Sequence, residues 1–159
     1  MAKAPDDTVD EEIRARILKL AFHGDEKLLQ AFCVKLRAGL PPGTAVALRG
    51  SVVTDERHED GKPFDASGKG TSDLDVTLIG HDVMEHWDKD AFYIPKLHTK
   101  PLFDQEPNIA PALNPLREEL QRMVKRPISF QATANMILFA RDVLLDQPYY
   151  MLIEAGENS

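Results

Sequence analysis

The sequence has a single cysteine, Cys33, in 159 residues, so no disulfide framework can form within the chain. A lone thiol fits a reducing compartment, and a cytoplasmic location is the expectation that follows. Cys33 falls among Leu29, Phe32 and Leu36 at helical spacing, where a packed, unreactive thiol is expected rather than a nucleophile. Long apolar runs are missing too. None comes near the roughly 20 residues that a bilayer-spanning helix needs, so no membrane association is expected. The opening residues, MAKAPDDTVDEE, have neither the basic start nor the apolar stretch of a secretory signal. Basic charge is in short supply: 19 Lys and Arg stand against 26 Asp and Glu, a net charge of −7. Long nucleic acid is held by clustered Lys and Arg and is therefore not an expected partner. A small nucleotide carried with its metal needs only a local site and stays open.

What is present reads as an ordinary globular chain, 43% apolar and 28% charged. The length suits one domain over 1–159: a flexible tail at 1–7, N-terminal helices over 8–39 and a core over 44–154. Thr8-Val9-Asp10-Glu11 has the form of a capping box and predicts a helix to about His23. Asp25 is a second N-cap candidate, followed by the stripe Leu28, Leu29, Phe32, Cys33, Leu36 and a stop at Gly39. After the turn Pro41-Pro42-Gly43, Thr44–Arg49 reads as a strand that turns at Gly50. Residues 52–72 read as loop. The next strand, Asp73–Ile79, is apolar on both faces apart from its Asp residues and Thr77, the pattern of a central strand covered by helices. Asp82–Trp87 predicts a short helical turn. Residues 88–112, punctuated by Pro95, Pro101, Pro107 and Pro111, predict an irregular lid or binding loop. Asn114-Pro115 is an N-cap followed by a first-turn Pro, and it opens a helix that Pro127 ends. Ile128–Ala132 is a third strand. Asn135–Leu145 is a helix with Met136, Ile137, Ala140, Val143 and Leu144 inward, and Tyr149–Glu154 a last strand. The fold class expected is α/β, more narrowly α+β: a small mixed sheet of four to five strands flanked by helices.

The stretch Leu48–Gly80 carries the chemistry. In a strand Asp73 and Asp75 point to one face with Cα atoms roughly 6.5–7 Å apart, and they repel unless a cation or a proton intervenes. Gly50-Ser51, at the end of the preceding strand, offers backbone N–H groups unobstructed by a Cβ, together with a hydroxyl. Such carboxylates suit Mg²⁺, a hard cation that keeps phosphates in its shell, and two such ions about 3.5–4 Å apart serve an in-line displacement at phosphorus.

Gly50-Ser51 followed by Ser72-Asp73-Leu74-Asp75-Val76 resembles the signature of the DNA polymerase beta-like nucleotidyltransferase superfamily: an apolar residue, Gly, Gly or Ser, a spacer, then Asp-x-Asp between apolar residues. The resemblance covers about residues 44–154 and implies transfer of a nucleoside monophosphate from an NTP, with ATP the expected donor, to a protein or small-molecule hydroxyl. It implies Gly50, Ser51 and Ser72 on the nucleotide, and Asp73 and Asp75 as metal ligands and catalytic residues with two Mg²⁺. In size the chain is similar to small bacterial members, among them those that pair with a helical partner as toxin–antitoxin modules.

There are two departures. The spacer 52–72 is long and carries Asp55, Glu56, Arg57, Glu59, Asp60, Lys62, Asp65 and Lys69. Active members supply a third carboxylate from a later strand, whereas the strand here offers Ser129 and Gln131, neither of which can act as a carboxylate base. Asp65, Asp104 or Glu154 would have to fill that place. The competing expectation is a catalytically inactive module of the same fold that binds a nucleotide or a partner protein. Arg126 and Arg141 are candidates to reach a triphosphate or to sit on ordinary helical surface, and Arg57, Lys62 and Lys69 belong to a solvated loop. His81, His86 and His98 lack zinc-like spacing and are expected in surface or structural roles. The acceptor surface is expected from a partner, or from residues 83–112 if Phe92, Tyr93, Leu102 and Phe103 stand exposed there.

Overall fold

Apolar and polar side chains alternate along the three central strands, and that alternation decides which face of the sheet meets the core. A computed structural model describes residues 5–55 and 61–154, with side chains described from residue 9. The element order is α1 (Pro5–Ala21), α2 (Glu26–Gly39), β1 (Ala45–Arg49), α3 (Ser51–Thr54), β2 (Leu74–Ile79), α4 (His81–Met84), β3 (Phe92–Ile94), β4 (His98–Thr99), α5 (Asn114–Val124), β5 (Ile128–Thr133), α6 (Met136–Asp142) and β6 (Tyr149–Ile153). The six strands form one mixed sheet in the order β3-β4-β5-β2-β1-β6. The central β2 and β5 are parallel, and β1 runs antiparallel to both β2 and β6. The fold is α+β, as expected, with more strands than the four to five anticipated.

Register sorts the two faces. Leu48 lies opposite Val76, and Val76 opposite Phe130, so Val46, Leu48, Leu74, Val76, Leu78, Ile128, Phe130 and Ala132 share one face. All are buried with Ile17, Phe22, Phe32 and Leu120 in one core. Burying a side chain of this size stabilises by about 1.5–3 kcal/mol, so this layer is what holds the sheet to the helices. The opposite face carries Arg49, Asp75, Thr77, Ser129, Gln131 and Thr133. The expectation that β2 is apolar on both faces is therefore corrected: its second face is polar, and Thr77 is buried there.

Several boundaries differ from expectation for identifiable reasons. Helix α1 begins at Pro5, three residues before the capping box, because Pro with its fixed φ suits a first helical position. Residues 5–7 of the expected tail thus belong to α1, and residues 1–4 lie outside the described residues, as do Glu56, Arg57, Glu59 and Asp60. Asp25 caps α2, accepting from the Lys27 and Leu28 amides. Cys33 is half-buried against the core. Asn114 does not cap α5. A 3₁₀ turn, Pro111–Leu113, leads straight into the helix, and the Asn114 amide instead donates to Pro107 O and accepts from Arg117. Helix α6 is short and is capped by Asn135. Of the expected inward stripe Leu144 is buried and Met136, Ala140 and Val143 are half-buried, but Ile137 is 77% exposed and Phe139 takes the inward place.

Residues 88–112 are not a loose lid. They contain the hairpin β3–β4, and His98 pairs with Thr133 of β5. The Trp87 indole donates to Lys100 O at 2.9 Å, and Leu102 exchanges backbone bonds with Phe130. Strands of three and two residues leave no periodicity to read, which is why they escaped the sequence reading. Leu102 is fully buried, Phe92 and Phe103 are half-buried, and Tyr93 is exposed. Among the described residues no helix is long and apolar enough to cross a membrane.

Candidate functional site

The polar face of the sheet opens to solvent where β1 ends and where β2 and β5 begin. Gly50 follows β1 with φ 79° and ψ −151°, a conformation essentially reserved for glycine, and turns the chain into α3. A Cβ on Gly50 would stand 2.6 Å from Asp75 Oδ2. The missing side chain thus lets the β2 carboxylate close against the Gly-Ser turn. Asp75 lies opposite Arg49 on one side and Ser129 on the other. Ser129 Oγ donates to Asp75 Oδ1 at 2.8 Å, which fixes one carboxylate oxygen and leaves the other toward Gly50.

Asp73 precedes β2 and is exposed. It shares with Asp75, Gly50, Ser51 and Ser72 the wall of a cleft of about 400 Å³, whose far side is Val143, Leu144 and Leu145 after α6. A second hollow of about 320 Å³ shares Arg49, Asp73 and Asp75 and reaches Tyr93, Phe103 and Gln131. All five expected site residues therefore meet in one cleft. Their surroundings differ. Ser51 is half-buried, with its hydroxyl bonded to no protein atom among the described residues. Ser72 is buried, and its hydroxyl accepts from the Asp65 amide at 2.8 Å, so it anchors its own loop.

That loop is delivered by an ion pair. Arg126 is buried, with Nη1 on Asp65 Oδ1 at 2.8 Å and Nη2 on Asp65 Oδ2 at 3.0 Å. It also donates to Ser72 O and Leu20 O and stacks 4.5 Å over Phe64. Burial pushes the Asp65 pKa up, but Arg126 and the Ser72 and Gly70 amides outweigh it and hold the carboxyl at about 2. Arg126 is thus neither a triphosphate ligand nor a surface residue; it ties residues 64–72 to α1 and the start of β5. Arg141 is exposed and pairs with Asp142 at 2.7 Å.

None of the three candidate third carboxylates faces the cleft. Asp65 is taken by Arg126, and Asp104 pairs with Arg117 at 2.8 Å. Glu154 follows the end of β6 that pairs with Val46, whereas the cleft lies at the Arg49–Tyr149 end. Among the described residues no group of three His, Cys, Asp or Glu is arranged to hold a metal ion. Asp73 and Asp75 are the carboxylates able to hold one here, with the remaining ligands left to a bound anion or water. His98 is structural: buried, it bonds Thr133 Oγ1 and Asp142 Oδ2, each at 2.9 Å, and joins α6 to the sheet. Lys62 and Lys69 are exposed, as expected of a solvated loop.

The sequence reading overlooked Arg49. Its Nε donates to Thr77 Oγ1 at 3.1 Å and its Nη2 to Gln131 Oε1 at 2.7 Å, beside the Phe139 ring. Burial pushes its pKa down while Asp75 pulls it up, and an arginine remains ionised through such shifts. Alternation in Ala45-Val46-Ala47-Leu48-Arg49 signals that Arg49 faces away from Leu48; what it meets there needs the register of three strands. No protein-family model matches the chain, and neither the curated proteins nor the solved structures compared with it gave a match.

Proposed function

We propose that the cleft binds a nucleoside triphosphate, ATP first among candidates, with Mg²⁺ between Asp73 and Asp75, in the manner of the nucleotidyltransferases that the Gly50-Ser51 and Asp73-Leu74-Asp75 pattern resembles. The observation that carries this reading is the close approach of Gly50 to Asp75, at 2.6 Å from a would-be Cβ to Oδ2. It sets a turn that phosphate can approach beside a carboxylate held in place by Ser129. The donor set fits one hard cation, since two carboxylates plus phosphate oxygens and water complete an oxygen shell. A second ion, expected if the protein is active, would call for a further carboxylate, and Glu56, Glu59 and Asp60 lie outside the described residues. When bound, the ion neutralises phosphate charge. The chain's own residues do the rest: Gly50 admits the phosphates, the Ser51 hydroxyl donates to them, and Val143–Leu145 offer an apolar wall for a base. A cytoplasmic setting, where NTP and Mg²⁺ are at hand, accords with this role.

A second reading, nucleotidyl transfer itself, is favoured by the exposure of Asp73 and by the second hollow beside Tyr93 and Phe103. In it an acceptor hydroxyl attacks the α-phosphorus, the bond to the bridging oxygen breaks, pyrophosphate leaves, and Asp73 takes the hydroxyl proton. With Ser129 and Gln131 in place of a third carboxylate, Asp73 is the base that the described residues of the cleft offer.

Calorimetric titration with ATP and Mg²⁺ tests the first reading. Binding is expected in the wild type and is expected to weaken at least tenfold in Asp73→Asn/Asp75→Asn; unchanged binding in the double variant would overturn the metal assignment. Incubation with labelled NTPs and candidate acceptors tests the second, and the absence of transfer with all four nucleotides would leave the binding role alone.

A further inference from the structure

Arg49 stands where the resembling pattern has an apolar residue, and strand parity turns it onto the polar face with Asp75, Thr77, Ser129 and Gln131. In the two arginines buried among the described residues, Arg117 and Arg126, both terminal nitrogens are engaged, whereas Arg49 is half-buried. Arg117 uses all three guanidinium nitrogens, on Asp104, Asn114, Gln121 and Ile128 O. Arg126 spends both terminal nitrogens twice. Arg49 differs in two ways. It has no hydrogen-bonded carboxylate, and its Nη1 donates to no protein atom among the described residues. Nor is Nη1 sealed from solvent: Arg126 Nε is the sole wholly buried side-chain nitrogen or oxygen without a partner among those residues. Arg49 lines both hollows of the cleft. Asp75 lies opposite Arg49 and favours its charged form but accepts no hydrogen bond from it, so a half-buried cation is left with a nitrogen that an anion can take.

We infer that Arg49 is an anion-binding residue of this cleft, its Nη1 donating to a phosphate oxygen of the ligand while Thr77 and Gln131 hold the guanidinium in place. The identity of that anion as a nucleoside triphosphate rests on the function proposed above; the anion site itself does not. Charge balance supports the assignment. One divalent ion, two carboxylates and a guanidinium sum to a single positive charge, the same as two divalent ions on three carboxylates. Arg49 thus gives the triphosphate the net field that a second ion would otherwise supply. Gln131 serves this arrangement because its carbonyl orients Arg49 without neutralising it, while its amide donates to Thr99 O at 2.7 Å.

Titration calorimetry with two probes tests the inference: inorganic tripolyphosphate in EDTA, and ATP with Mg²⁺, each on wild type, Arg49→Met, Arg49→Lys and Asp73→Asn. Loss of a charged hydrogen bond of about 1.5–3 kcal/mol corresponds to roughly tenfold or more in affinity. Arg49→Met is therefore expected to lose at least tenfold toward both probes, Arg49→Lys less, and Asp73→Asn to lose affinity only for the Mg²⁺ complex. Arg49→Met binding metal-free tripolyphosphate as the wild type does would overturn the inference. Should the methionine variant not fold, Arg49→Lys decides alone, since wild-type affinity there would show that the guanidinium's reach is irrelevant. A wild type that binds tripolyphosphate through Arg49 but ignores ATP and Mg²⁺ would overturn the nucleotide reading and leave the anion site. Binding of ATP with Mg²⁺ that needs Asp73 but not Arg49 would do the reverse.

Discussion

Arg126 and Arg49 are both drawn into the protein from strand ends, yet they meet different surroundings. Arg126 finds a bidentate carboxylate, two backbone carbonyls and an aromatic face, all belonging to the chain itself. Arg49 also has an aromatic face, Phe139, and a carboxylate opposite, Asp75, but its hydrogen bonds go to a hydroxyl and an amide oxygen, and Nη1 has no partner among the described residues. Because an ionised group is expensive to bury, the way its charge is compensated separates a structural arginine from one that waits for a ligand. Removing the first should damage the fold; removing the second should damage binding more than the fold.

The largest expected effect is Arg126→Met. Breaking a buried pair by removing one partner costs about 3–5 kcal/mol, and for a chain of this size each kcal/mol moves Tm by about 2–4 °C. A fall of roughly 6–20 °C in a thermal melt is expected, together with weakened nucleotide binding as Asp73 loses its anchored loop. A fall no larger than that of Arg49→Met would break the comparison. Acid reads the same pair without mutation. The Asp65 carboxyl titrates at about 2 in the folded protein, below its ordinary value of 3.8. Its contribution is thus complete above about pH 4 and is lost as pH falls toward 2, amounting to at most about 2 kcal/mol after solvent screening. Chemical denaturation followed between pH 5 and 2 should show that loss, and Asp65→Asn should remove the pH-dependent part of it.

Gly50→Ala comes next. It forces a Cβ to within 2.6 Å of Asp75 Oδ2 from a backbone that alanine avoids. About 1–3 kcal/mol of stability is expected to go, and since Asp75 must move aside, binding of ATP with Mg²⁺ should go with it. An alanine variant that binds normally would show that the contact between turn and carboxylate is incidental. Arg49→Met is smaller still, about 1 kcal/mol by thermal melt, because Gln131 Oε1 loses its donor while the burial penalty of a cation is relieved. Its signature is the ratio: a small loss of stability beside a large loss of anion affinity.

How much of this was legible beforehand depends on whether the signal was local. The two N-terminal helices, Asp25 as a cap, the strand ending at Gly50 and the Asp73-Leu74-Asp75 stretch are written in neighbouring residues, and they appear close to where their patterns put them. The meeting of Gly50, Ser51, Ser72, Asp73 and Asp75 in one cleft was likewise implied by a short motif. What escaped is what pairing creates. Ser129 faces Asp75, and Arg49 reaches Gln131 across Thr77, only because β1, β2 and β5 align in one register. Nothing near Arg126 in the chain announces Asp65, which is 61 residues away. Phe139 rather than Ile137 is the buried residue of α6, and a helix of 7 residues is too short for its apolar pattern to say which face is covered.

Ser129→Ala is the finest test of the division between fold and cleft. The Ser129 hydroxyl donates to Asp75 Oδ1 at 2.8 Å at the margin of the cleft. If Asp75 were a structural carboxylate in the way Asp65 is, losing that donor would cost stability and little else. In a site built for a cation the donor instead sets which carboxylate oxygen is left to the ion, so its loss frees Oδ1 and loosens the aim of Oδ2. About 0.5–1 kcal/mol of stability is expected to be lost, within the ordinary range for a hydrogen bond at a partly open position. ATP affinity in the presence of Mg²⁺ should fall severalfold, while metal-free tripolyphosphate, held through Arg49, should bind as before. Equal weakening of both probes would mean that Ser129 supports the cleft as a whole and that the carboxylate and the guanidinium cannot be treated as separate devices.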